Sequence, residues 1–249
     1  PLTLLLGVVT ASLQIEGGDR NNNWYRWAEE GHIKDDSSPL RACDHWNRVD
    51  EDIHLMQDLN INCYRMSLEW SRIEPQPGCF DKKALDHYRR ELGLLNERGV
   101  RPMVSLHHFS NPLWFEDGGA WSSGDSADVF YRFVRYAVEG LGDLCKEWIS
   151  INEPNVYITQ SYLFGEWPPG LNKPGIYFRT ARNMIKAHLR VYDLIHEIHS
   201  SKNLSEPMVG VAHHLRIFDP LRDKGADRFI SRIYTYLFED LFLRSMTEG

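Results

Sequence analysis

Long apolar runs are missing from this 249-residue chain, and no stretch approaches the length that crosses a bilayer. The opening Pro-Leu-Thr-Leu-Leu-Leu has no basic flank and no cleavage site, so it does not read as a secretion signal; the first residue is not Met, and a trimmed N-terminus is expected. Positive charge is scarce. The 28 Lys and Arg are outnumbered by 35 Asp and Glu, the net charge is -7, and the basic residues are dispersed. That balance argues against nucleic acid or an anionic membrane as a partner. The four cysteines, Cys43, Cys63, Cys79 and Cys145, form no CxxC pair and lie beside no zinc-type histidine spacing. They are expected as buried free thiols in a reducing, cytoplasmic setting, with no metal and no cofactor. A dinucleotide-binding GxGxxG and a phosphate-binding GxxxxGK[ST] are both absent.

Aromatic residues are plentiful: 8 Trp, 11 Tyr and 11 Phe. They suit either a packed core or the apolar faces of sugar rings. Short apolar runs alternate with amphipathic stretches. Strands are expected at Leu4–Ala11, Ile61–Leu68, Arg101–Phe109, Cys145–Ile151 and Pro207–Phe218. Helical spacing marks Asp44–Leu59, Lys82–Glu97, Ser126–Leu141, Phe178–His199 and Asp227–Ser245, and Gly99 is placed to close the second of these. Five strands, each followed by a helix, imply parallel pairing with right-handed crossovers. The fold class is α/β, and residues 1–249 read as a single domain. A closed eight-fold barrel and an open doubly wound sheet both satisfy this pattern.

In either architecture the strand C-termini carry the chemistry. Gln14 and Glu16 follow the first strand, and Arg65, Glu69 and Trp70 lie on or after the second. His107, His108 and Phe109 end the third, Asn152 and Glu153 the fourth, and His213, His214 and Arg216 lie on the fifth. Glu153 is the sharpest of these. A carboxyl at the end of a buried strand is expected to be desolvated, to hold its proton more tightly and to act as a general acid. A helix cap or an ion pair with Arg65 would explain it equally well by position alone. His213 and His214 fit packed imidazoles better than metal ligands. Glu16 and Glu69 fit ion-pair or loop residues. Trp114, Trp121 and Trp167 fit either packing or a wall for an aglycone, and Gly165–Gly170 (GEWPPG) reads as a rigid loop at the site mouth.

Four segments, in order, are similar to the signatures of glycoside hydrolase family 1, the β-glucosidase and β-galactosidase family. They are LLGVVTASLQIEGG, YRMSLEWSRIEPQPG, SLHHFSNPLWF and ISINEPN. The resemblance implies a (β/α)8 barrel of which this chain holds about the first five units. It implies a retaining β-glycosidase with Glu153 as acid/base, Arg65 orienting the nucleophile and Asn152 on the sugar 2-hydroxyl. Gln14 and His108 would bind the glycone, with Phe109 as an apolar wall. Phe109, Ser110 and His107 stand where many relatives have Trp, Asp and Tyr, so the preferred sugar is left open. The family's nucleophile lies in a Thr-Glu-Asn-Gly motif, and this sequence contains none. Five strands cannot close an eight-strand barrel, and the outer two would leave open edges. The expectation is therefore the N-terminal portion of a longer enzyme acting on a β-glycoside or oligosaccharide, inactive by itself. The alternative is a non-catalytic half-barrel that binds sugar or pairs with another subunit.

Overall fold

The computed structural model describes residues 4–247. Five strands form one sheet in sequence order: β1 (Gly7–Val9), β2 (Cys63–Ser67), β3 (Arg101–Ser105), β4 (Glu147–Asn152) and β5 (Met208–Ala212). All four pairings are parallel. Sequential parallel order with a helix in every crossover is the pattern of a barrel wall; a doubly wound sheet would reverse its strand order.

The helices form where apolar residues recur at helical spacing. Ser126–Leu141 buries Phe130, Phe133, Val134, Ala137, Val138 and Leu141 along one stripe. Lys82–Glu97 is capped by Asp81, whose side chain accepts from the amides of Lys83 and Ala84, and Gly99 at φ +71° takes the left-handed position beyond its end. The fourth helix begins earlier than the spacing predicts, at Pro174, because proline is well placed in a first turn, and it runs to Ser201. Between sheet and helices lie the largest buried side chains, among them Trp70, Trp121 and Trp148; Trp70 stacks on Phe133 with ring centroids 4.8 Å apart.

The two outer strands differ most from expectation. The first is only Gly7–Val9 and is not buried: Leu4, Leu5, Leu6 and Val9 are exposed. The fifth ends at Ala212, six residues before Phe218, and an irregular segment follows. Each outer strand has a neighbour on one flank only, so ladder hydrogen bonds that would extend it are missing. The last helical stretch starts at Gly225 and is interrupted by a π-helical turn at Tyr236–Asp240 before Leu241–Thr247. Of the four thiols only Cys145 is buried; Cys43 and Cys79 lie in exposed loop positions, and all four are free. No helix among the described residues is long and apolar enough to cross a membrane.

Candidate active site

The sheet delivers its polar residues to one rim, and the local backbone sets their aim. After β1 the chain turns into the short helix Ser12–Ile15, which leaves Gln14 exposed at the rim. Arg65 lies on β2, part-buried. Its Nε donates to Ser105 Oγ at 3.2 Å on β3, and its Nη2 donates to Asn152 Oδ1 on β4. One guanidinium thus ties three adjacent strands together. Burial pulls its pKa down while the Glu153 carboxylate opposes that, and it stays a cation at any ordinary pH.

The β4 ladder shifts register between Ile149 and Asn152. Such an irregularity re-aims side chains at a strand end. The Asn152 amide donates to the carbonyl of His107 (2.9 Å), and the Glu153 amide donates to the carbonyl of Ala212 (2.7 Å). Glu153 sits at φ +41° and Phe109 at φ +70°, both in the left-handed region that side chains disfavour. Two strained non-glycine residues at one rim fit a functional site better than a merely stable one. The Glu153 side chain is 32% exposed, and its Oε1 lies 3.4 Å from His214 Nδ1. The full enclosure expected of a strand-end carboxyl is therefore not reached, because the wall on that side is only the irregular segment after β5. That segment is held by Asn155, whose Nδ2 donates to the carbonyls of His214 (2.8 Å) and Phe238 (2.9 Å).

His108 is a neutral imidazole. Burial, with Arg65 and His107 adding to it, pushes its pKa down to about 3, and its Nδ1 is buried without a hydrogen-bond partner. The ring also lines a pocket, so its accessible edge, not the enclosed Nδ1, is the ready contact for a hydroxyl. His107 behind it is buried and structural: Nε2 lies 3.0 Å from Asn111 Oδ1 and 3.2 Å from Trp121 Nε1, and burial lowers its pKa to about 4. Gln14, His108 and Phe109 line a cavity of ≈ 370 Å³ together with Leu13, Trp24 and Trp167. Phe109 and Trp167 rings are 4.8 Å apart, and Trp24 Nε1 donates to the Phe109 carbonyl at 3.3 Å. An apolar cavity with a few convergent polar groups is the usual form of a small-molecule site.

The other tryptophans separate cleanly. Trp121 is fully buried core, and Trp114 packs on Trp70 while donating to the Glu74 carbonyl at 2.8 Å. Of Trp114, Trp121 and Trp167 the last, in the Gly165–Gly170 loop, faces the cavity, beside Trp24. His213 faces Glu239 at 3.6 Å, and no cluster of His, Cys, Asp or Glu suited to a metal occurs among the described residues. Trp24 and Asn155 were not singled out from sequence. Asn155 lies two residues past Glu153, and a polar residue there, in the first turn of the helix Pro154–Ile158, was the available signal.

Comparison with known proteins agrees with the fold. The sequence profile described as glycosyl hydrolase family 1 matches residues 1–249. Beta-glucosidase A of Thermotoga maritima is 32% identical over 260 residues, covering 100% of this chain and 56% of that protein. The cytosolic beta-glucosidase of Cavia porcellus is 33% identical over 203 residues, 77% of this chain and 43% of that protein. The beta-glycosidase from Pyrococcus horikoshii superposes with a TM-score of 0.88 at 35% identity, over 98% of this chain and 55% of that one. The family 1 β-glucosidase from Thermotoga maritima gives a TM-score of 0.90 at 31% identity, over 96% and 54%. The chain spans about half the length of the relatives it matches. Its five parallel strands correspond to the N-terminal part of a (β/α)8 barrel, and the chain belongs to glycosyl hydrolase family 1.

Proposed function

We propose that this chain supplies the proton-transfer half of a retaining β-glycosidase acting on β-linked glucosides or related glycosides. The observation that carries this reading is the convergence of Gln14, Arg65, His108, Asn152 and Glu153 on one strained rim beside an aromatic cavity. Glu153 is the acid/base. It protonates the leaving oxygen and then, as a carboxylate, draws a proton from water. Arg65 holds Asn152 by hydrogen bond and offers its charge to a carboxylate nucleophile. Asn152 Nδ2 is left to meet the sugar 2-hydroxyl, because its oxygen is engaged by Arg65. Gln14 and the cavity-facing edge of His108 take glycone hydroxyls, and Phe109 gives the ring an apolar wall.

The nucleophile is proposed to lie in the part of the enzyme that corresponds to the uncovered half of the relatives. In the retaining mechanism it stands about 5–5.5 Å from the acid/base. The same polypeptide is proposed to cover the open flanks of β1 and β5 and to enclose Glu153 more fully. With the barrel complete, Glu153→Gln lowers turnover of alkyl β-glucosides by about 10²–10⁴-fold, the range of a general acid, and lowers it least for aryl glucosides with acidic leaving groups. Equal losses for both substrate types would remove Glu153 from the proton-transfer step. The second reading, a sugar-binding half-barrel without catalysis, is favoured by the exposed edges alone. Glucoside binding with no hydrolysis in the complete enzyme would select it.

A further inference from the structure

Glu69 lies directly behind the cavity and takes no part in the proposed chemistry. It follows β2, is 1% exposed and touches no cation. Instead its carboxyl meets three serines. Oε2 accepts from Ser12 Oγ (3.1 Å) and from Ser110 Oγ (2.9 Å), and Oε1 is 2.8 Å from Ser71 Oγ. Ser12 begins the helix that carries Gln14, and Ser110 follows His108 and Phe109. One carboxyl therefore joins the two segments that form the glycone side of the cavity.

Counting protons shows the state in which this junction is satisfied. Ser71 Oγ stands 2.6 Å from Asp19 Oδ2 as well as 2.8 Å from Glu69 Oε1, yet a hydroxyl has one hydrogen. Both contacts are hydrogen bonds only if one carboxyl is protonated. Asp19 is partly exposed and its carboxyl already accepts from the Asn21 amide (3.0 Å) and Asn22 Nδ2 (2.7 Å), whereas Glu69 is enclosed. The proton belongs on Glu69, whose Oε1 then donates to Ser71 while Ser71 donates to Asp19. Its charged and titratable surroundings agree. Asp19 disfavours a negative charge, and so does Glu16 when ionised, its own pKa being raised to about 8 by burial. Arg72 favours one but is engaged by Glu16 at 2.8 Å and by the Gly17 carbonyl, and Tyr88 accepts from the Glu69 amide at 2.9 Å while donating to Glu16 at 2.7 Å. Burial, reinforced by Asp19, raises the Glu69 pKa to about 7.

We infer that Glu69 is a positioning residue: as a neutral acid it latches the Gln14 helix to the His108–Phe109 turn, and its ionisation loosens both walls of the cavity together. The inference rests on the glycosidase reading only for what the walls hold. Ionised, Glu69 loses the donor bond to Ser71 and buries a charge without a cation. The segments it joins are then held less tightly.

Amide hydrogen exchange tests the latch without any substrate. Glu69→Gln keeps an acceptor towards Ser12 and Ser110 and a donor towards Ser71, and cannot ionise. At about pH 6 wild type and Glu69→Gln exchange alike at residues 12–16 and 107–111. At about pH 8.5 both segments exchange at least about 5-fold faster in wild type, and in step, the variant cancelling the chemical rate's own pH dependence. Equal ratios at both pH values, or a change in one segment alone, overturn the inference. Ser110→Ala, which cuts one arm, speeds exchange at 107–111 at both pH values; no change there counts equally against it. Binding of methyl β-glucoside, which carries no charge, then weakens about threefold from pH 6 to 8.5 in wild type and stays constant in Glu69→Gln. A pH-switched exchange ratio with no glucoside binding at any pH would keep the latch and remove the glycosidase reading.

Discussion

The imidazole of His108 stays uncharged because its surroundings leave a proton nowhere to be solvated: it is largely buried and faces the Arg65 guanidinium. Its cavity-facing edge is proposed as a hydroxyl contact, so His108→Ala is expected to weaken glucoside affinity about tenfold, near 1.4 kcal/mol. Calorimetric titration of the complete enzyme checks this, and unchanged affinity would show that the edge is unused. The same burial makes a statement about stability. His107 and His108 have folded-state pKa values depressed to about 4 and about 3, below the ordinary 6.5. Their contribution is fully present above pH 6.5 and is lost as pH falls towards those values, since the unfolded chain takes up the protons first. Denaturant midpoints between pH 7 and pH 4 should fall in wild type and fall less steeply in His108→Gln. At this scale the sequence was informative about residue type and place but not about burial. Gln14, Arg65, His108, Phe109, Asn152 and Glu153 could be named because each lies on or just beyond a strand, within one of the four segments that resemble the family 1 signatures. The exposure of Glu153 and the meeting of Ser12 and Ser110 on Glu69 could not, since both depend on side chains 41 or more residues away in the chain.

Between elements, one buried imidazole links the first two long helices. His45 opens the helix His45–Asp58, with Nδ1 2.6 Å from Asp52 Oδ2 and Nε2 3.0 Å from Glu91 Oε1 on the helix Lys82–Glu97. Burial alone would lower its pKa, but Glu91 and Asp52 outweigh it and raise the value to about 9. A raised histidine stabilises fully below pH 6.5, and the contribution is lost as pH rises through about 9. The full effect is of order 3 kcal/mol. Thermal melts at pH 6.5 and pH 9.5 should show a fall in Tm that His45→Gln does not show; equal falls would contradict the clamp. Gly17 acts at the same scale. At φ +73° a Cβ there would meet the Arg41 carbonyl oxygen at 2.5 Å, and that contact is backbone on both sides. Gly17→Ala is expected to cost about 1–3 kcal/mol and to disturb the 37–42 loop that borders the cavity, read as a lower denaturant midpoint. Element legibility followed packing. Ser126–Leu141 and Lys82–Glu97 were readable to the residue because their stripes bury fully. The outer strands were overestimated because apolar composition was taken for burial, and an edge strand lacks the second neighbour that would bury it.

The molecule as a whole is a barrel wall with two free edges. Besides Leu4 and Val9 beside β1, the segment after β5 exposes Leu215, Ile217 and Leu221, at 70%, 87% and 89%. Apolar surface on this scale, next to unpaired strand edges, promotes association. The 249-residue chain is expected to show concentration-dependent mass in light scattering, reduced by Val9→Lys; a strict monomer at all concentrations would contradict that. That a barrel was unfinished could be read from the strand count and the missing Thr-Glu-Asn-Gly. The aglycone and the preferred sugar could not, because the residues that select them are not among those converging here. The central claim is that Glu153 moves the proton, and it is tested most directly by the product that Glu153→Ala forms with azide. The complete enzyme carrying this change should cleave an activated aryl β-glucoside slowly, speed up when azide is added and release the β-glucosyl azide. Formation of the α-azide, or wild-type turnover without azide, would contradict the account.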